Sequence, residues 1–427
     1  MEPRLGAHEL LHVFSFLGAR DLLRAAQVDK LWNEVTSSTE LWRQLCQRRW
    51  PSCQTSQVTL GTQTWRQYYL CRSELEFRME SGRPEKDFTC RAITGHKGRI
   101  LRLAYISTSE YRRDGQEKSV VCTVSSDHTV RAWDVREGVE IWASPQQPAA
   151  LVNLVTFPRL RLVVTVDEQG LIKVWKAEDG WECTSFSLPT SSAALEACHQ
   201  PEGPFLLVIH TRSLLLRQEE EAPVSALLPV QLPSKACWAP LEAARLIVLH
   251  RSDSGEHGVV TTFELGTKRC KDSVGILAQE VASFPLPDSM AAPPLLKAHG
   301  SQVVLVGSDL ELVVFTIHGL QLAAHQDHQQ PITDIWVDES RVVTSSLDLS
   351  LRIYMWKQDG TWPVLKSCYH LLGGSHRWSS GFTQVECDSM SIVGVESRKT
   401  GMSVLRSYCF TVSRDCRDGL GQVRELV

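Results

Sequence analysis

Two hydrophobic periods divide this chain. Near its start apolar residues recur every three or four positions, the spacing of one buried helix face. Leu10, Phe14 and Leu17 set the first stripe, widened by Leu11 and Val13; Leu22, Ala25, Ala26 and Val28 set a second; Leu41, Trp42 and Leu45 set a third. Gly18 is expected to close the first helix and Asp21 to cap the next, while Ser37 with Glu40 three residues on fits a capping box. Trp50-Pro51 ends the cassette, a polar run follows, and Thr64 opens another helix through roughly Met79, with Trp65, Tyr69 and Leu70 on its apolar side. The charged, Gly- and Pro-containing run from Glu80 to Asp87 marks a boundary. From Phe88 onward the period falls to two: short β-rich runs broken by Gly, Asp, Ser and Pro, the pattern of an all-β repeat architecture.

The opening cassette carries more apolar side chains than short helices can hide, Leu5, Leu10, Leu11, Val13, Phe14, Phe16, Leu17, Leu22 and Leu23 among them. A piece this small has little core of its own, and the excess points to a partner surface. The residues Leu5-Gly6, Glu9 to Leu17, Asp21-Leu22-Leu23, Val28 to Trp32 and Leu41 to Leu45 resemble the F-box. The resemblance implies docking on a Skp-type adaptor through Leu5, Leu10, Leu11, Val13, Phe14, Leu17, Leu22 and Leu23. It departs from the family at Gly6, where the pattern has Pro and the fixed φ that Pro gives a helix start. Two plainer readings stand beside it. The run LLHVFSFLGA suits a signal peptide, against which stand Glu9, His8 and His12; the other reading packs the helices only on the body of this same chain.

In the β-rich body the clearest unit begins at Gly95-His96 and ends in Ser125-Ser126-Asp127-His128-Thr129-Val130-Arg131-Ala132-Trp133-Asp134, which resembles a WD repeat. The resemblance implies a buried hydrogen-bonded set of His96, Ser125, Asp127 and Trp133, in which the His, a hydroxyl and the indole N–H satisfy a buried carboxylate. A second good unit has Asp327-His328 in the Gly-His place, Asp348 as the turn Asp and Tyr354 at the Trp position. These sets are structural, not catalytic. The other units keep strand spacing and little signature, giving about seven at the ~40–45-residue period of WD repeats. The strand Phe88 to Ile93, ahead of the first Gly-His, is placed to complete the last unit's sheet, since closing the ring removes exposed edges.

Charge and composition narrow the partners. A formal net charge of −4 gives no global case for nucleic acid or an anionic membrane. No stretch reaches the ~18 consecutive apolar residues of a spanning helix. Thirteen Cys are scattered singly without zinc spacing and fit reduced residues of a cytoplasmic or nuclear protein. No nucleophile elbow, zinc-protease helix, phosphate loop or dinucleotide fingerprint is present, so no enzyme activity and no cofactor are expected. His325, Asp327 and His328 cluster, but a structural role for Asp327-His328 outweighs a metal site. Arg131, Lys173 and Arg352 share one place in their units, two before the Trp or Tyr. In the receptors that these repeats resemble, basic residues on the propeller's face bind acidic or phosphorylated peptides, Arg being suited to phosphate; a solvated strand side chain is the favoured reading here. The insert from Tyr111 to Lys118 is expected to be a surface loop.

The expectation is an α+β multidomain protein: an F-box helical bundle (1–50), a helical linker (51–87), an all-β WD-repeat propeller (88–412) and a tail (413–427). The combination resembles the F-box/WD-repeat proteins. It implies a non-catalytic substrate receptor of an SCF-type (Skp–cullin–F-box) ubiquitin ligase, with a Skp-type adaptor, a cullin–RING ligase and a protein substrate as partners. The alternative is a non-degradative scaffold whose F-box is idle.

Overall fold

The computed structural model describes residues 5–50, 64–107, 118–187 and 294–412, and between 194 and 290 the strands with part of their connections. The tail 413–427 and most of the insert 111–118 lie outside the described residues.

The helical part is built from α1 (Ala7–Phe14), α2 (Ala19–Ala25), α3 (Lys30–Thr36), α4 (Thr39–Arg49) and α5 (Trp65–Ser81). Leu10, Phe14, Leu22, Leu23, Val35, Leu41, Trp42, Leu45 and Cys46 are buried, each large apolar side chain contributing about 1.5–3 kcal/mol of transfer free energy. Phe14 meets Trp32 edge to face at 5.1 Å. The Trp42 indole donates to the Thr36 carbonyl at 2.7 Å, satisfying the one polar atom that ring takes into the core.

Three capping expectations are corrected. Gly18 is the N-cap of α2 rather than the close of α1, and Asp21 lies in α2's first turn. Ser38, not Ser37, precedes α4 and makes no side-chain cap bond. The capping box belongs instead to α5, where Thr64 accepts from the Gln67 N–H and Gln67 reaches back to the Thr64 N–H. Asp29 caps α3 by accepting from the Trp32 N–H at 2.9 Å.

α5 packs on α4 through an aromatic cluster. Tyr69 meets Trp42 and Trp50, Tyr68 meets Trp50 and Trp65, and the Arg72 guanidinium lies 4.4 Å from the centre of the Trp50 ring. Gly82, at φ +54°, turns the chain out of the helix. Beyond it the buried Asp87 carboxylate accepts from Ser81 and from the backbone and side chain of Arg83. Burial alone would raise its pKa; those bonds outweigh burial and hold it low.

The β-rich part forms seven four-stranded sheets. Six are described to the side chain; the third, spanning strands Ala194–Cys198 to Val224–Leu227, is described by its strand pairing. Each is an antiparallel meander, and the first strands of successive sheets are neighbours in cyclic order, the last returning to the first. These are propeller blades. The last blade takes its outermost strand, Phe88–Ile93, from ahead of the first, in the order Phe88–Ile93, Ser403–Phe410, Ser391–Arg398, Ser379–Cys387. Strands sandwiched between blades bury nearly every side chain, as in Val303–Ser308 and Arg341–Ser346; the first reads as a nearly continuous apolar run and not as alternation, while the second takes its Arg and hydroxyl side chains into the interior with it.

Candidate functional site

The helical cassette presents its apolar residues in two sets. Leu10, Phe14, Leu22 and Leu23, expected on the adaptor-facing surface, are interior, at 2, 2, 0 and 8 % exposure. The correction has a simple cause. With so few core positions, four short helices spend their best-phased apolar residues on each other. Leu11 and Leu17 are half-buried. Leu5 and Val13 remain exposed, joined by Phe16, Val28 and Leu31, which were not in the expected set. Phe16, 74 % exposed, sits just past α1 with His12 edge-on at 5.3 Å. Gly6 is the N-cap of α1 at φ −76° and ψ 172°, the backbone that Pro would impose.

In the first blade (Ile100–Tyr105, Val120–Ser125, Val130–Asp134, Val139–Ala143) the buried polar set has a different hydroxyl from the one expected. His96 Nδ1 bonds the Asp127 carboxylate at 2.9 Å and its Nε2 bonds Thr123 Oγ1 at 2.8 Å, which also accepts from the Trp133 indole at 2.8 Å. Ser125 stands outside this chain; its Oγ accepts from the Asp127 N–H in the turn. Asp127 also accepts from the Lys97 N–H and from the Thr129 N–H and hydroxyl. Burial would raise its pKa, but the bonds from Thr129, His96 and Lys97 prevail and bring it to about 2. Burial lowers the pKa of His96, partly offset by Asp127.

The sixth blade (Ile332–Val337, Arg341–Ser346, Ser350–Asp359, Trp362–Leu372) repeats the arrangement. His328 joins Asp348 at 2.9 Å and Thr344 at 2.7 Å. The Tyr354 hydroxyl bonds Thr344 and Asp327, and burial, with Asp327 beside it, raises its pKa. Nearby, His325 Nε2 and Asp327 Oδ2 are buried without a hydrogen-bond partner among the described residues. The second blade keeps half the set: the Trp175 indole donates to Thr165 at 2.9 Å, and Asp167 accepts from the N–H groups of Gln169 and Leu171, with no His. The last blade carries a set that sequence reasoning missed. Glu396, fully buried, accepts from Ser379, from the Gly374 N–H at 3.0 Å and from Arg406 at 2.6 Å. The signal was available, since Glu396 and Arg406 are charged residues inside strands that otherwise read apolar.

Two of the three basic residues considered for substrate contact are neutralised within their own blades. Arg131 pairs with Glu140 at 2.7 Å and Lys173 with Glu182 at 2.8 Å, each with the residue nine positions on, across the outer strand pair. The half-buried Arg352 leaves its Nε without a hydrogen-bond partner among the described residues. Arg131 and Lys173 therefore brace their blades and have little free charge to offer a ligand.

Comparison with known proteins agrees with this geometry. Residues 8–48 match the F-box-like family model. The chain is 32% identical to the human F-box/WD repeat-containing protein 12 over 96% of its own length and 99% of that protein's. It is 28% identical to the mouse F-box/WD repeat-containing protein 15, covering 94% and 98%. Among solved structures, the WD40 β-propeller domain of Doa1 matches with a TM-score of 0.52 at 11% identity, over 77% of this chain and 98% of that one. The structure of U3-55K matches with a TM-score of 0.52 at 14% identity, over 76% and 99%.

Proposed function

The chain belongs to the F-box/WD-repeat proteins, and on that premise we propose that it is a substrate-recognition subunit of an SCF-type ubiquitin ligase. The cassette docks on a Skp-type adaptor and, through it, on the cullin–RING machinery. The propeller holds the protein to be modified. The chain performs no chemistry; its contribution is proximity, which raises the effective concentration of a substrate lysine beside the ubiquitin thioester. It works in the cytoplasm, the nucleus or both.

The observation that carries this reading is the set of exposed apolar side chains on the cassette. Leu5, Val13, Phe16, Val28 and Leu31 are left in water by helices whose own core is already filled. A surface of that kind is stable as part of an interface. The propeller's polar sets all serve to satisfy buried groups, which suits a binding platform.

The test is co-purification of the full chain with a Skp-type adaptor. Wild type is expected to capture the adaptor, and Phe16→Asp with Val13→Asp to lose it while the thermal midpoint stays put. If wild type captures none, the ligase reading fails. One feature favours the second reading, a scaffold that recruits no ligase: Gly6 stands where the F-box pattern has Pro, so the start of α1 is less constrained before binding. That reading predicts partner capture without adaptor and without ubiquitin transfer.

A further inference from the structure

In these blades the loop before the first strand and the turn between the second and third strands share one face, because His96 reaches Asp127 and His328 reaches Asp348 across it. The loop 94–99 carries His96 and the turn at Leu347 carries Asp348, and the same rule puts two segments of the last blade on that face, the loop 373–378 and the turn 399–402. Contacts join them in order. A Cβ on Gly381 would come within 2.5 Å of the Leu347 backbone. The Lys399 N–H donates to the Trp378 carbonyl at 3.0 Å, and the Ser403 N–H to the Gly98 carbonyl at 3.3 Å.

This surface carries exposed apolar and basic side chains on the same joined loops. Leu347, Trp378 and Met402 are 38, 58 and 44 % exposed. A Trp held open beside other apolar groups is the usual anchor of a protein interface. Arg377 stacks over the Trp378 ring at 5.0 Å. Lys97, Arg99 and Lys399 are exposed, and among the described residues their side chains form no ion pair. Three acids of these blades are already engaged, Asp127 and Asp348 by their histidines and Glu396 by Arg406, while Asp327 is turned to Tyr354 and the exposed Asp309 belongs to the turn of the fifth blade. A local excess of positive charge on a chain of net charge −4 is complementary to acid.

We propose that this face of the sixth, seventh and first blades docks an extended acidic segment of a protein partner that carries a bulky apolar residue. The apolar residue packs on Trp378, Leu347 and Met402, and carboxylates on either side meet Lys97, Arg99 and Lys399. Carboxylates fit better than a phosphate. The basic groups come from separate loops and Arg377 is committed to the Trp378 ring, whereas a phosphate site wants bidentate guanidinium groups converging on one point. The inference rests on the proposed role of the propeller as the substrate-holding part, and it names the class of segment held.

The experiment uses the full chain with its adaptor and labelled synthetic peptides of one backbone. A central Leu-Trp is flanked by Glu, by Gln or by phosphoserine, with a single-stranded oligonucleotide as competitor. The Glu-flanked peptide is expected to bind in a salt-sensitive manner. Trp378→Ala, and Lys97→Glu with Lys399→Glu, are each expected to weaken binding about tenfold or more, with adaptor capture and thermal midpoint unchanged. The proposal is overturned by equal binding of the Gln-flanked peptide, by variants that bind as wild type, by a clear preference for phosphoserine, or by displacement by the oligonucleotide. Loss of adaptor capture with peptide binding intact would sink the ligase reading alone.

Discussion

Gly95 lies so close to Trp133 that a Cβ added to it would come within 2.5 Å of the indole Cη2. In the sixth blade the corresponding pair is Asp327 and Tyr354. Tyr is smaller than Trp, and here the Asp327 carboxylate accepts a hydrogen bond from the Tyr354 hydroxyl. The two changes are one exchange of volume and polarity. Tyr354→Trp is expected to cost about 1–3 kcal/mol by overpacking against Asp327. Adding Asp327→Gly should recover most of that loss, seen in urea unfolding as a coupling above about 0.5 kcal/mol. Strictly additive effects would show the positions to be independent.

Acid is expected to weaken the propeller through both members of the His96–Asp127 pair. The folded pKa of His96 lies below its ordinary 6.5 because of burial, so its contribution is present above that pH and is lost as pH falls through the lower folded value. Asp127, near 2 against an ordinary 3.8, contributes above 3.8 and loses that contribution as pH falls toward 2. Both slopes have the same sign. Urea midpoints measured from neutral pH downward should decline in two stages, and Asp127→Asn should flatten the lower one.

The cassette's two apolar sets separate by mutation. Leu10→Ala and Phe14→Ala empty buried sites and should cost about 2–5 kcal/mol each. Phe16→Ala removes a side chain already in water and should stay within about 0.5 kcal/mol. Thermal unfolding of the free chain checks both; equal losses would mean that Phe16 belongs to the core.

Gly6→Pro should stabilise the cassette. The backbone at Gly6, φ −76°, is one that Pro adopts without strain, and fixing it in the unfolded chain is worth about 0.4–1 kcal/mol. The added carbon meets only the far end of the Glu9 side chain, which can move. A raised thermal midpoint with tighter adaptor capture is the expected result; a lowered midpoint would show that Gly6 needs freedom that Pro denies.

The helices and strands were legible because their periods differ, and the Gly-His, Asp and Trp spacings marked the first and sixth blades. Which apolar residues of α1 face inward was not legible. Leu10, Val13, Phe14 and Phe16 are all apolar, and only the packing of α2 and α3 decides between them. The choice of hydroxyl in the first blade was equally closed to spacing. Thr123 and Ser125 lie two apart and so share one face of a strand, and the position of the Trp133 indole selects Thr123. Arg131 and Lys173 looked free because their partners, Glu140 and Glu182, stand on the next strand. Glu396 and Arg406 went unread because they lie inside strands of a unit whose turn, Lys399-Thr400-Gly401-Met402, has no Asp to mark it.

The strand Phe88–Ile93 lies beside Ser403–Phe410, a partner from the far end of the propeller sequence. Synthesis runs from the N-terminus, so this strand leaves the ribosome first among the β-elements and waits with both edges bare until its partner emerges. Closure is then the final event of assembly. A chain released early would carry that open edge permanently, a ready template for pairing with other chains.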